Sequence, residues 1–191
     1  MPKVRFVPLL RRRRQGKTDY NTRKKIIISR ENFVTIRFSG KNTNVQVSEA
    51  KIGGDNVVAA AHSRELKKLG WKSSGKSIPA AYLTGLLAGE RAKKAGIESA
   101  IVYSGVKALR RASRITAAVK GVIDAGINIP VDGEVLPSEE RIKGEHIVAY
   151  ASSMGVSEES PYFSTWKKAE LSAANFGDHF DQIFSKIKGG K

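Results

Sequence analysis

The chain has 191 residues, enough for one domain with a sizeable core plus appendages, and 40% of them are hydrophobic. Its 34 Lys and Arg outnumber 18 Asp and Glu, a formal net charge of +16 that would strain a free compact monomer and implies a polyanionic partner. Without a cysteine it has neither a disulfide framework nor a thiolate-bound metal, and it has no apolar run of bilayer-spanning length. The N-terminal charges are not followed by an apolar stretch, so no signal peptide is expected and a cytoplasmic location is predicted.

The charge is spread unevenly. Residues 1–30 hold 11 basic residues and one acid, Asp19, whereas residues 131–191 hold seven basic and ten acidic ones. The anion-binding surface is therefore expected in the first two thirds of the chain. Three segments follow: a basic arm over 1–17, an α/β core over 18–130 and a helical extension over 131–191.

In chain order, Pro2, Pro8 and Gly16 and the mutual repulsion of Arg11, Arg12, Arg13 and Arg14 predict an extended arm. A helix is expected over 18–29 with Thr18 or Asp19 as its N-cap, placing Tyr20, Arg23 and Lys24 on one face. From residue 33 the period changes to two: strands are expected over 33–38, 44–48 and 57–61, joined by short turns into an antiparallel meander. A short helix over 63–69 comes next. A longer helix should open at Ser77-Ile78-Pro79 and stop at Gly96, with Gly85 and Gly89 allowing close backbone approach to a sheet. Residues 99–103 read as a buried strand, and 112–125 as a third helix ending at Gly126. In the extension, Pro137-Ser138-Glu139-Glu140 looks like a helix start leading into 147–151. The apolar spacing from Trp166 to Ile187 suggests one or two amphipathic helices that dock on the core or on a neighbouring protein. The fold class is therefore α/β: a mixed, partly antiparallel sheet with helices packed on it, a basic N-terminal arm and a helical C-terminal extension.

Four features invite a chemical reading. Gly70 to Ser77 matches the phosphate-cradling pattern G-x-x-x-x-G-K-S in full, with Lys76 in the lysine position. The context argues against it, because a polar helical segment precedes the loop where a buried strand is required. Lys72 and Lys76 are instead expected near nucleic-acid phosphate. The arginine run could be a solvated tail, but it continues into Lys17, Arg23, Lys24 and Lys25 with Tyr20 interleaved. Guanidinium and aromatic groups in that mixture suit RNA, whose phosphates pair and whose unpaired bases stack. A second basic cluster, Lys107, Arg110, Arg111, Arg114 and Lys120, runs from the approach to the third helix into the helix itself. A hairpin carrying Arg37, Ser39, Lys41, Asn42, Asn44 and Gln46 suits contacts to backbone and 2′-hydroxyl groups. The three histidines lack metal-ligand spacing, and neither a Ser/His/Asp set nor a catalytic carboxylate pair assembles. No catalytic residue, metal or cofactor is expected.

The run from Arg11 to Tyr20, RRRRQGKTDY, closely resembles the N-terminal signature of the archaeal and eukaryotic branch of the L-eighteen family of large-ribosomal-subunit proteins. Further matches are Ala60 to Ser63, Pro79 to Gly85, Gly121 to Gly126, Pro137 to Ile142 and Gly144 to Ile147. The resemblance implies a non-enzymatic protein that grips 5S ribosomal RNA through its arm and sheet side and helps attach it to the large-subunit RNA in the central protuberance. It also implies neighbouring ribosomal proteins as partners of residues 131–191. The rival readings are a nucleotide hydrolase built on Gly70–Ser77 and a general nucleic-acid-binding protein.

Overall fold

The computed structural model describes residues 8–51, 53–153, 163, 166 and 171–189. In chain order these form α1 (Arg11–Arg14), α2 (Tyr20–Ser29), β1 (Phe33–Phe38), β2 (Thr43–Lys51), β3 (Gly54–His62), α3 (Ser63–Lys68), α4 (Ile78–Lys94), β4 (Ile101–Tyr103) and α5 (Arg114–Asp124). A 3-10 turn at Gly133–Val135 leads to α6 (Glu139–Lys143), α7 (Glu145–Ser153) and α8 (Phe176–Lys188).

The strands form one sheet in the order β3-β2-β1-β4. β1 pairs antiparallel with β2 and β2 with β3, while β4 joins the far edge parallel to β1. The meander and the mixed sheet are as the residue pattern implies. Period-two alternation sends Val34, Ile36, Val45 and Val47 into the main core, all at most 3% exposed. Helix α4 covers that face of the sheet and α5 packs on α4.

Helix α4 is buried on nearly all sides, which its small residues permit. A Cβ on Gly85 would lie 2.1 Å from the Ala118 carbonyl oxygen, and one on Gly121 would lie 2.2 Å from that of Tyr82. The two helices thus meet backbone to backbone, and Gly85 and Gly89 open onto α5 and its C-cap rather than onto the sheet that their spacing suggests. Tyr82 Oη donates to Asp124 Oδ2 at 2.9 Å across the same seam. Burial, followed by that carboxylate, pushes the Tyr82 phenol well above its ordinary value.

Several boundaries differ from expectation. Residues 11–14 form a helical turn in place of an extended arm: Arg13 and Arg14 N–H donate to the Leu10 carbonyl at 2.9 and 3.0 Å, and Lys17 N–H returns to Arg12 at 2.9 Å. Gly16, at φ +60°, supplies the left-handed residue that closes it. All four arginines point to solvent, which relieves the repulsion that argued for extension. Helix α5 starts at Arg114 because Ser113 is its N-cap, and Ala112 before it is left-handed at φ +49°. The single run expected from Pro137 is two helices, since Gly144 at φ +87° ends α6. A Cβ there would meet Phe176 at 2.6 Å and Pro79 at 2.9 Å. Of the amphipathic stretch after Trp166, α8 is described; residues 167–170 and 190–191 lie outside the described residues, as do Pro2 and the rest of 1–7.

The extension docks on its own core. Phe176, Phe180, Ile183 and Ile187 of α8 are buried in one cluster with Trp71, Tyr82 and Trp166. His179 stacks on Trp71 with ring centroids 5.1 Å apart, and its Nε2 accepts from Lys72 N–H at 3.1 Å. Lys186 Nζ donates to the Leu69 carbonyl at 3.1 Å.

Two predictions follow from this packing. Gly85→Ala lowers stability by about 3 kcal/mol, the upper range for overpacking, and moves the urea midpoint down without changing its slope. His179 supplies the second. Burial, then Lys72 and Lys186, holds its pKa below the ordinary 6.5, so the folded state resists its protonation. The associated stability is fully present above pH 6.5 and is lost as the pH falls toward the lower folded value. Urea titrations at pH 7.5 and 5.5 will show a loss at the lower pH that is smaller in His179→Gln.

Candidate nucleic-acid interface

The face of the sheet turned away from α4 is polar at its centre. Alternation puts Phe33, Thr35 and Arg37 of β1 on that side, and the register sets Arg37 opposite Asn44 and Thr35 opposite Gln46. One end of this face is covered by α2. Asp19 caps that helix, accepting from Asn21 N–H at 3.0 Å and from Thr22 Oγ1 at 2.5 Å. The Thr22 hydrogen bonds hold the Asp19 carboxyl below its usual range. Ile26 anchors α2 on Phe33 and Tyr103, whose rings meet edge to face at 5.9 Å.

Arg23 is part of this seat. Its guanidinium lies 5.1 Å above the Phe33 ring and 6.0 Å above Tyr103, and it forms an ion pair with Asp55 of β3. The side chain is only 17% exposed. Spacing puts Arg23 and Tyr20 together, as expected, and both line the groove that follows. The charge of Arg23 is matched internally, however. Lys24 and Lys25 are exposed outside that groove.

Between α2, β1 and the loop after β4 runs a groove of about 600 Å³. Thr35 and Arg37 lie along its floor with Tyr103, Tyr20 flanks it, and Arg12, Lys17 and Lys107 bring cationic side chains to it. Arg12 Nε donates to Thr18 Oγ1 at 2.8 Å, which ties the arginine turn to the groove wall. Ser104 Oγ donates to the Lys107 carbonyl at 2.6 Å and folds the opposite wall. Ion pairs among the described residues are Arg23–Asp55, Lys51–Glu49, Arg91–Glu65 and Lys120–Asp124. Arg11, Arg12, Arg13, Arg14, Lys17, Arg37 and Lys107 thus meet no carboxylate among these residues, leaving their charge available to an anion.

The hairpin divides by role. Arg37 and Lys41 are exposed. Ser39 and Asn42 close the turn: Ser39 N–H and Oγ donate to the Asn42 carbonyl at 2.9 and 3.2 Å, and Asn42 N–H donates to Ser39 Oγ at 3.0 Å. Phe38, an apolar residue at the hairpin end, is covered by Arg114, whose guanidinium lies 4.9 Å above its ring. Arg114 also donates to the Lys76 carbonyl at 3.5 Å, bracing hairpin, α5 and the 70–77 loop together. Arg110 and Arg111 are exposed on the approach to α5.

The segment spelling a phosphate loop has another use. It follows helix α3, and its groups are engaged within the protein. Trp71 Nε1 donates to the Ser74 carbonyl at 3.4 Å, Trp166 Nε1 to Ser73 Oγ at 2.8 Å and Thr43 Oγ1 to the Gly75 carbonyl at 2.9 Å. Ser77 Oγ donates to the Ser74 carbonyl at 2.9 Å and caps α4. The loop is the seat of the extension, with its Lys72 and Lys76 side chains pointing outward. Among the described residues there is no group of three His, Asp or Glu that could hold a metal.

Residue spacing alone missed Thr35, Tyr103 and residues 104–106. Thr35 was legible as the polar position between Val34 and Ile36 in a strand of strict alternation. Tyr103 was not, because its partner strand is 68 residues earlier in the sequence.

Comparison with known proteins shows the family. A family model described as ribosomal large subunit proteins 60S L5 and 50S L18 matches residues 4–101. Large ribosomal subunit protein uL18 of Thermofilum pendens is 43% identical over 188 residues, 97% of this chain and 96% of that protein. The uL18 protein of Methanothermobacter thermautotrophicus is 40% identical over 183 residues, 96% of this chain and 95% of its own. That of Korarchaeum cryptofilum is 49% identical over 152 residues, 80% and 76% of the two chains. With identity of this order running through core and extension alike, the chain belongs to the uL18 family and is a protein of the large ribosomal subunit.

Proposed function

We propose that this protein binds 5S ribosomal RNA and helps fasten it to the large-subunit RNA in the central protuberance, as a structural component without catalytic activity. The observation that carries this reading is the continuous cationic surface from the Arg11–Arg14 turn, through Lys17 and Arg37, to Lys107 at the groove. Its charges meet no carboxylate among the described residues, and its floor is a rigid sheet face carrying hydroxyl, amide and guanidinium groups. Rigid polar floors with cationic rims suit the wide minor groove and unpaired loops of RNA. Lys24, Lys25, Lys41, Arg110 and Arg111 extend the field around it, and Lys72 and Lys76 extend it toward the extension. Affinity then comes mainly from release of counterions, with selectivity from shape and stacking.

The extension, whose described apolar side chains such as Phe176, Phe180 and Ile183 are buried on the core, offers its acidic residues to neighbouring ribosomal proteins. As part of the ribosome the protein works in the cytoplasm. A hydrolase built on Gly70–Ser77 has little support, since that loop is filled by Trp71, Trp166 and the cap of α4.

Three measurements test the reading. With roughly eight phosphates engaged, the log–log salt slope for 5S RNA is on the order of −6 to −7, and a slope near −2 would contradict joint use of arm and core. Deleting residues 1–17 lowers 5S RNA affinity at least tenfold in filter binding. It leaves the thermal transition nearly unchanged, because α1 contains no buried residue. Duplex DNA of equal length competes poorly against 5S RNA; equal competition would favour a general nucleic-acid binder.

A further inference from the structure

The groove beside β1 is half open to solvent, yet it offers more than phosphate binding requires. A phosphate backbone is held by cations on an open surface, and the outward arginines of α1 already offer that. The groove instead has depth, with a volume of about 600 Å³, inside the range of roughly 300–1,000 Å³ common to sites for small organic ligands. Its floor holds a polar group that the protein itself does not use. Thr35 is 7% exposed, and its hydroxyl engages no other group among the described residues. It is not sealed off either, since no described buried side-chain oxygen or nitrogen lacks both solvent and a partner. Its remaining access is into the groove.

The walls are built to hold their shape. Arg23 is fixed by Asp55 and by the rings of Phe33 and Tyr103, so its guanidinium forms a flat, neutralised wall. Tyr20, 37% exposed, stands one helical turn before it with its ring free to stack. Arg12, Lys17 and Lys107 bring positive charge to the same cleft. A flat aromatic body, one hydrogen-bonding edge and flanking negative charge are the complement of these features.

The geometry points to a binding pocket for a single unstacked nucleobase: Tyr20 stacks on its face, the Thr35 hydroxyl bonds to its edge, and Arg12, Lys17 and Lys107 hold the phosphates on either side. The pocket rests on the RNA-binding reading above and refines it, making one unpaired nucleotide of the RNA a fixed point of attachment. Stacking on an aromatic ring and hydrogen bonding to an extruded base are the usual means of reading single-stranded RNA.

The test uses the full chain and the four ribonucleoside 5′-monophosphates, with ribose 5-phosphate as the control, followed by amide NMR shifts. The nucleotides are expected to shift Thr35, Arg37 and Tyr103, whereas ribose 5-phosphate shifts only the residues around Lys17 and Lys107. Thr35→Val, which keeps the β-branched shape on the strand, weakens nucleotide binding about fivefold, the loss of one ordinary hydrogen bond. Tyr20→Ala weakens it about tenfold through lost stacking. Equal shifts from ribose 5-phosphate would reduce the pocket to a phosphate site and overturn the proposal. So would unchanged binding by Thr35→Val, or tighter occupation of the same groove by a glutamate-rich peptide. In parallel, Thr35→Val is expected to weaken 5S RNA binding without altering its salt slope. Failure of wild-type protein to bind 5S RNA would remove the assignment of that RNA, while the nucleotide titration decides the pocket independently.

Discussion

Helix α4 is the element on which the other layers depend. It lies on β2 and β3, packs along α5, and receives α3, α6 and α8 on its remaining sides. A helix enclosed in this way must carry large apolar groups toward the sheet and almost nothing toward its helical neighbour. Leu83 and Leu86 are fully buried and meet the first demand; Gly85 against the Ala118 backbone and Gly121 against those of Tyr82 and Leu86 meet the second. Close-packed interiors tolerate little added volume, so the whole stack inherits its spacing from these glycines.

The sheet separates two kinds of surface by the alternation of one strand. Val34 and Ile36 face the dry core, while Thr35 and Arg37 face the groove. The protein thereby keeps an ordinary apolar core despite a net charge of +16. The excess cations lie at the rim, on α1 and along the hairpin, where water or RNA screens their mutual repulsion. Arg23 is the exception. Being half-buried and matched by Asp55, it adds shape to the site and little net field.

Much of this was legible in the residues themselves. Period-two runs at 33–38 and 44–48, and Pro79 and Gly96 at the ends of α4, are local signals, and the structure bears them out. Gly85 and Gly89 signal close backbone approach just as locally, but the partner they meet is α5 and not the sheet. The arginine run was recognised as a surface feature, but its turn was not, because Gly16 closes it only through hydrogen bonds reaching back to Arg12 and Arg13. Pairings distant in sequence were the least legible. Arg23 read as a free cation since nothing near it in sequence reveals Asp55, Phe33 and Tyr103. Arg114 covering Phe38 and His179 receiving Lys72 N–H likewise join segments 76 and 107 residues apart. The phosphate-loop pattern misleads for the same reason: its glycines and serines serve contacts with Trp166 and Thr43 that no local pattern encodes.

The seating of α8 on Trp71 and Tyr82 also has a meaning in time. Chain synthesis reaches Tyr82 about 100 residues before Ile187. At roughly 5–20 residues per second, the sheet and α4 exist for about 5–20 seconds before the helix that covers their aromatic side is made. During that interval the nascent chain carries a basic surface on one side and an uncovered patch of indole and phenol on the other. Synthesis of α8 therefore marks the moment at which this aromatic patch is covered while the basic surface stays open.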